Sequence, residues 1–329
     1  MDFRLTEDQA ILVEGVRDFL AGVHGAERLR RLDMRDPPRS PELWAELTSM
    51  GLPCLLVPVA EGGLGLGLVE AVLIAQELGR AAVAEPIVDT ALVAVPWLVA
   101  RAVPAPYAAI VAGEARIAVA HPVNPWIADL DDATHVIARG SLLARHGDAG
   151  AAWESVDPLR RLFASGDIGE GDDLLLDLGA LMAAAQLRGL ADAMLAQAVA
   201  YAGQRQQFGQ PIGAFQAVKH HLASVAVAIE FARPVLLRAA DAVQHGSRSA
   251  SIHVSHAKLA AGDAAIQAAE TAIQIHGAMG YTYEVDLHFW MKRAWALAGA
   301  WGDRALHLGR INAAILRGTL STGPSHTFV

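Results

Sequence analysis

Apolar side chains fall at three- and four-residue spacings over both ends of the chain, and that rhythm lapses in the middle. Near the start, Thr6 followed by Glu7, Asp8 and Gln9 reads as a helix cap, with acidic groups in the first turn where the helix dipole favours them. Ile11, Leu12, Val16, Phe19 and Leu20 carry that helix onward. Ser40-Pro41-Glu42 opens a second, with Leu43, Leu47 and Met50 on one face and Gly51 as its stop. A third is predicted over 67–79, through Val69, Val72, Leu73, Ala75 and Leu78. The glycine-rich run Val57 to Gly65 is expected to be structural, because no Gly-Lys-Ser/Thr follows it and no strand-turn-helix context surrounds it.

From about residue 103 to 177 the pattern changes to short apolar runs such as Ile117-Ala118-Val119-Ala120 and His135-Val136-Ile137-Ala138, broken by Pro, Gly, Asn and Asp. These read as strands, with others at Ser141–Ala144 and Arg161–Ala164. After Asp177 the helical period returns and continues to about Arg317. The first long helix, 179–204, has Leu181, Gln186, Leu190 and Met194 among many alanines and no proline. Another follows Pro211, with Phe215, Val218, Leu222, Val225 and Ile229 in a stripe, and a further one begins near Ser251 and ends at His276-Gly277. Long helices without intervening strands predict an antiparallel bundle. The expected fold is therefore mainly α with a small β domain: an N-terminal helical domain over 1–102, a short β-rich domain over 103–177 and a C-terminal four-helix bundle over 178–329.

At 329 residues and 53% hydrophobic content the chain is long enough to bury a substantial core. Its formal net charge of -9 leaves no broad cationic footprint, so nucleic acid is excluded as an expected partner. The single cysteine, Cys54, lies in an apolar run and permits neither an internal disulfide nor a cysteine metal cluster. The first residues carry charge and no apolar signal core, and the apolar run 87–100 is interrupted by Asp89 and Pro96 and is too short to cross a bilayer. A cytoplasmic location without a membrane span is expected.

Two segments stand out as candidate chemistry. Arg205 through Gln216 offers a permanently charged donor fork beside a Gly-Pro loop, a chemistry that suits diphosphate oxygens. Gln274-Ile275-His276-Gly277-Ala278-Met279-Gly280-Tyr281 offers a side-chain amide and glycines that let backbone amides approach a ligand. Taken alone, each has an ordinary structural reading, a helix-end charge and a helix C-cap. His220 and His221 are adjacent on a helix and face different directions, and no His-Glu-x-x-His pattern occurs, so no metal is assigned.

Both segments resemble the acyl-CoA dehydrogenase family, whose patterns R-x-x-F-G-x-P-I-x-x-F-Q and Q-x-x-G-G-x-G-Y they follow, with Ala278 in place of the second glycine. Glu77-Leu78-Gly79-Arg80 and Glu154 through Leu162 are similar to further family signatures. The resemblance implies FAD as cofactor, contacted across a subunit interface by Arg205, Phe208 and Gln216 and by the loop Gln274, Ile275, His276, Gly277 and Ala278. The reaction it implies is α,β-dehydrogenation of an acyl-CoA thioester, with a carboxylate removing the α-proton as the β-hydrogen leaves as hydride for the flavin. In the family that carboxylate is a Glu, and an ungapped match puts Gly302 at its usual position and Gly179 at its alternative one. Asp303 and Asp177 stand nearby, with Asp303 the preferred substitute base and a helix cap its competing role. The family's Thr-Glu-Pro-x-x-Gly-Ser segment, which covers the flavin ring, has no counterpart within 103–177. These departures favour a subunit that grips FAD and pairs with a homologous subunit carrying the Glu, as in actinobacterial steroid-CoA dehydrogenases. The alternatives are a self-sufficient homo-oligomer with an Asp base and a non-enzymatic helical scaffold. Electron-transfer flavoprotein is the acceptor the resemblance implies.

Overall fold

The structure, a computed structural model, describes residues 3–164 and 172–320. The first two residues of the segment read for an export signal, the stretch before the bundle and the last nine residues lie outside it. The N-terminal unit contains α1 (Glu7–Val23), α2 (Ala26–Asp33), α3 (Pro41–Ser49) and α4 (Leu68–Arg80). Thr6 forms the expected cap, accepting from the Gln9 N–H at 3.2 Å while the Gln9 side chain accepts from the Thr6 N–H at 3.0 Å. Ser40 Oγ likewise accepts from the Leu43 N–H at 3.1 Å. The apolar run after residue 86 is helical, winding as a π-helix over Val88–Ala94 and then as α5 (Val95–Ala100). A short α6 (Tyr107–Val111) follows. Neither α2, α5 nor α6 was legible in the apolar spacing, since each is too short to show a helical period.

Among its described residues the middle unit has five short strands: β1 (Ile117–Val119), β2 (Trp126–Ala128), β3 (His135–Ala138), β4 (Ser141–Ala144) and β5 (Leu162–Ala164). β3 is central in one sheet, parallel to β1 and antiparallel to β4, and β2 pairs antiparallel with β5. Four of the five coincide with the apolar runs of the sequence.

The C-terminal unit opens with α7 (Asp173–Gln204), so the expected boundary after residue 177 falls inside its first turns. Asp172 caps α7 through the Leu175 N–H at 3.0 Å and also accepts from Trp97 Nε1 at 2.8 Å. A two-stranded hairpin, β6 (Gln206–Gln207) and β7 (Gln210–Pro211), leads into α8 (Gln216–Gln244), then α9 (Ala250–His276), α10 (Leu287–Gly299) and α11 (Arg304–Leu316). α7 is long and apolar enough to cross a bilayer by length and composition, unlike the shorter apolar run at 87–100. Here it is the central helix, buried on nearly every side. Its neighbour α4 approaches so closely that a Cβ on Gly189 would lie 1.9 Å from the Gln76 carbonyl oxygen. A Cβ on Gly79 would lie 2.3 Å from that of Gln186.

One buried ion pair joins all three units. Arg293 on α10 donates through Nε to Asp157 Oδ2 at 2.7 Å and through Nη1 to the carbonyls of Ala82 and Val83. Both side chains are buried. Removing one member of such a pair strands the other charge in a low-dielectric interior. Arg293→Met is therefore expected to cost about 3–5 kcal/mol of stability, read as a lowered midpoint in urea denaturation.

Candidate functional site

The two segments singled out by sequence meet at one end of the bundle. The backbone makes that inevitable: α7 ends at Gln204, α8 starts at Gln216 and α9 ends at His276, so three helix ends converge. The contact is locked by the Tyr201 ring stacking on His276, with centroids 4.3 Å apart. His276 is buried and its Nδ1–H donates to the Ala272 carbonyl at 2.8 Å. His276 thus braces the loop from inside rather than facing outward with its neighbours.

Between the helices the hairpin turns through Phe208 and Gly209, both left-handed, at φ 52° and 79°. A bulky residue there costs about 1–2 kcal/mol relative to glycine. Phe208 is nevertheless 90% exposed, with its ring edge-on to Phe215 at 6.1 Å between centroids. A strained, exposed aromatic gains nothing for the fold of this chain alone. Arg205, Gln216 and Gln274 are exposed around it, and their side chains have no hydrogen-bond partner among the described residues. Gly277 sits at φ 61°, ψ -138°, a conformation open only to glycine, and ends α9, while Ala278 is exposed on the turn that follows. Ile275 packs at the edge of the main core. Free amides, a free guanidinium and an exposed ring form a surface that suits a diphosphate with an attached aromatic group.

The positions where the resemblance puts a base lie at the other end. Gly179 is in the second turn of α7, 26 residues before Arg205, or about 39 Å away along the helix axis. One chain therefore cannot bring both sets of residues to a single ligand centre. Asp303 is an exposed helix cap whose carboxylate accepts from the Leu306 N–H at 2.9 Å, so it lacks the dry surroundings expected of a base. Arg304 pairs with Asp263 instead. Asp177 is buried, and burial raises its carboxyl above the usual range against the pull of Ser251 and Arg310. It accepts from Ser251 Oγ and, at 2.8 Å, from Arg310, tying α7 to α9 and α11. Both aspartates are occupied with structural duties.

What fills this end was not foreseen in the sequence. Trp301, between α10 and α11, is 3% exposed and stacks on His121 with centroids 3.9 Å apart and planes inclined by 20°. Its backbone N–H donates to Asn124 Oδ1 at 3.1 Å, and its carbonyl accepts from His307 Nε2 at 2.9 Å. Lys258, also buried, donates through Nζ to the carbonyls of Leu297, Ala298 and Gly302 at 3.0, 2.8 and 3.4 Å. Desolvation pushes its ammonium down to about 7. Beside the stack is a cavity of about 50 Å³, lined by Glu85, Asp89, Arg160, Gln186 and Trp301 among others. Burial raises Asp89 to about 6 and Glu85 to about 7. The sequence signal for this cluster was the pair of histidines at 121 and 307 and the Trp-Gly step at 301–302, which have no local spacing in common.

Three comparisons bear on these features. The family description "Acyl-CoA dehydrogenase, N-terminal domain" matches residues 6–102, and "Acyl-CoA dehydrogenase, C-terminal domain" matches 174–316. The chain is 33% identical over 297 residues to the acyl-CoA dehydrogenase IpdE2 of Mycobacterium tuberculosis, covering 88% of this chain and 91% of that one. Among solved structures it is similar to the ChsE4-ChsE5 complex from Mycobacterium tuberculosis, with TM-score 0.82, 24% identity and 96% and 99% of the two chains covered. It is also similar to a variant of the Tcur3481-Tcur3483 steroid ACAD, with TM-score 0.77, 22% identity and 96% and 99% covered.

The buried His121 yields a pH prediction. Burial, reinforced by the nearby Arg160 cation, pushes its imidazole down to about 3, so the folded chain stays neutral there while the unfolded chain takes a proton below about 6.5. Stability is unaffected by this group above pH 6.5 and declines as the pH falls toward 3. At pH 5 the loss attributable to His121 is about 2 kcal/mol. Comparing urea midpoints at pH 7 and pH 5, His121→Phe should show a decline smaller by that amount.

Proposed function

The chain belongs to the acyl-CoA dehydrogenase family, oxidoreductases that act on acyl-CoA, and from that premise we propose that it is one half of a hetero-oligomeric, FAD-dependent member. Its Arg205 end supplies cofactor contacts to a site whose reacting carboxylate belongs to a homologous subunit. Two observations carry this reading: Arg205, whose side chain has no partner among the described residues, stands about 39 Å along α7 from Gly179, and the base positions at that end hold Gly179 and Gly302 with Asp177 and Asp303 engaged in packing and capping. A cofactor held by the first group therefore presents its reactive ring to another chain. The chemistry of the group fits FAD: Arg205 would hold the diphosphate, the amides of Gln216 and Gln274 would bond its polar edges, and Phe208 would cover an apolar face. When bound, FAD supplies the acceptor for the hydride leaving the substrate β-carbon.

This chain's own residues then bind and orient, while the partner's carboxylate takes the α-proton of the thioester. The substrate class we assign is a steroid- or sterol-derived acyl-CoA, on the likeness to the steroid ACAD, with electron-transfer flavoprotein as the acceptor.

The test is co-expression with a homologous dehydrogenase subunit encoded nearby. Flavin absorbance is expected in the co-purified complex, with bleaching by acyl-CoA, and not in the isolated chain. Arg205→Ala in the complex is expected to weaken flavin retention about tenfold to a hundredfold, the worth of a charge-assisted hydrogen bond, without lowering the unfolding midpoint of the isolated chain. An isolated chain that carries flavin and is bleached by acyl-CoA overturns the reading.

A further inference from the structure

The space between Gly179 and Gly302 is filled by packing. A Cβ built on Gly179 would lie 2.1 Å from Trp301 Cδ2 and 2.2 Å from Cε3, far inside any real contact, so the indole rests directly on the bare backbone of α7. At Gly302 a Cβ would meet His307 Nε2 and Leu306 Cδ2, each at 2.9 Å, and the backbone has φ +92°, which side chains rarely adopt. Trp301 itself is held in the left-handed region at φ 57°, a strained state for a bulky residue. Such strain persists only where the surroundings over-determine it. They do so here through the His121 stack, the Asn124 and His307 hydrogen bonds and the Lys258 anchor on the neighbouring carbonyls. The cavity that Trp301 lines on its other side measures about 50 Å³ and holds a few waters at most, whereas pockets for drug-sized ligands measure about 300–1,000 Å³.

We propose that Trp301 is a plug: stacked on His121, it closes this chain's own cleft by occupying the space a side chain at Gly179 would need, while Gly302 is kept bare by its own backbone and by His307 and Leu306. The residues at this end therefore do not fit a flavin ring or an acyl thioester, in contrast to the Arg205 end. The inference rests on the family reading of the two glycines and is independent of any partner subunit. The flavin experiment can fail while the plug stands, and the plug can fail while the partner reading stands.

A double-mutant cycle on the isolated chain tests it. With Trp301 present, Gly179→Ala must overpack the contact and lower the unfolding midpoint, by about 1–4 °C. With Trp301→Gly, the same change meets empty space and gains helix propensity, so the midpoint should stay level or rise. Gly179→Glu should follow the same rule, failing to fold or melting early beside Trp301 and folding in the Trp301→Gly background. Indole added to the Trp301→Gly chain should raise its midpoint in a concentration-dependent way. If Trp301→Gly does not fold, Trp301→Asn, small and tolerant of left-handed backbone, carries the cycle. An equal loss from Gly179→Ala in both backgrounds, or no response to indole, overturns the proposal.

Discussion

The backbone-to-backbone contact of α4 with α7 is the constraint from which the rest follows. Two glycines, Gly79 and Gly189, face the other helix's backbone at distances no side chain tolerates. That approach makes α7 a helix enclosed by α4, α8, α9 and α10, and it explains an apolar composition that would otherwise read as a bilayer span. Because α7 is rigid and central, everything attached to its two ends is fixed about 39 Å apart, the axial distance between Gly179 and Arg205.

The two ends have opposite characters. At the C-terminal end the Tyr201–His276 stack draws helix termini together, yet the polar groups they present remain unengaged and Phe208 is left exposed in a strained turn. Such a surface is unfinished as a surface of one chain. At the N-terminal end almost every polar group is consumed: Asp177 by Ser251 and Arg310, Asp303 by its own helix, Lys258 by three carbonyls, His307 by Trp301 and Ser255. His121 Nε2 is an exception, buried without a partner among the described residues. On the proposed reading, the chain offers a cofactor surface at one end of α7 and has filled the base positions at the other.

Much of the fold was legible in the sequence because long helices repeat their apolar positions often enough to be counted. α1, α3, α4 and the three bundle helices announced themselves through Thr6, Ser40 and the stripes of Leu and Ala. Short elements such as α2, α6 and β2 did not, since three to eight residues carry too little period. The Arg205 and Gln274 segments were legible because each is contiguous. The closed cleft was not, because Trp301, His121, Asn124 and Gly179 come from four separate places in the chain and meet only through packing. The bare glycines at 179 and 302 were visible, but that an indole had taken the space of one of them was not.

The central claim is that the Arg205 end faces a ligand on another chain. A photo-crosslinking residue placed at Phe208 in the co-purified complex, with the linked peptides identified by mass spectrometry, tests this most directly. The account predicts crosslinks to the partner subunit. Crosslinks confined to this chain's own middle or N-terminal units would contradict it.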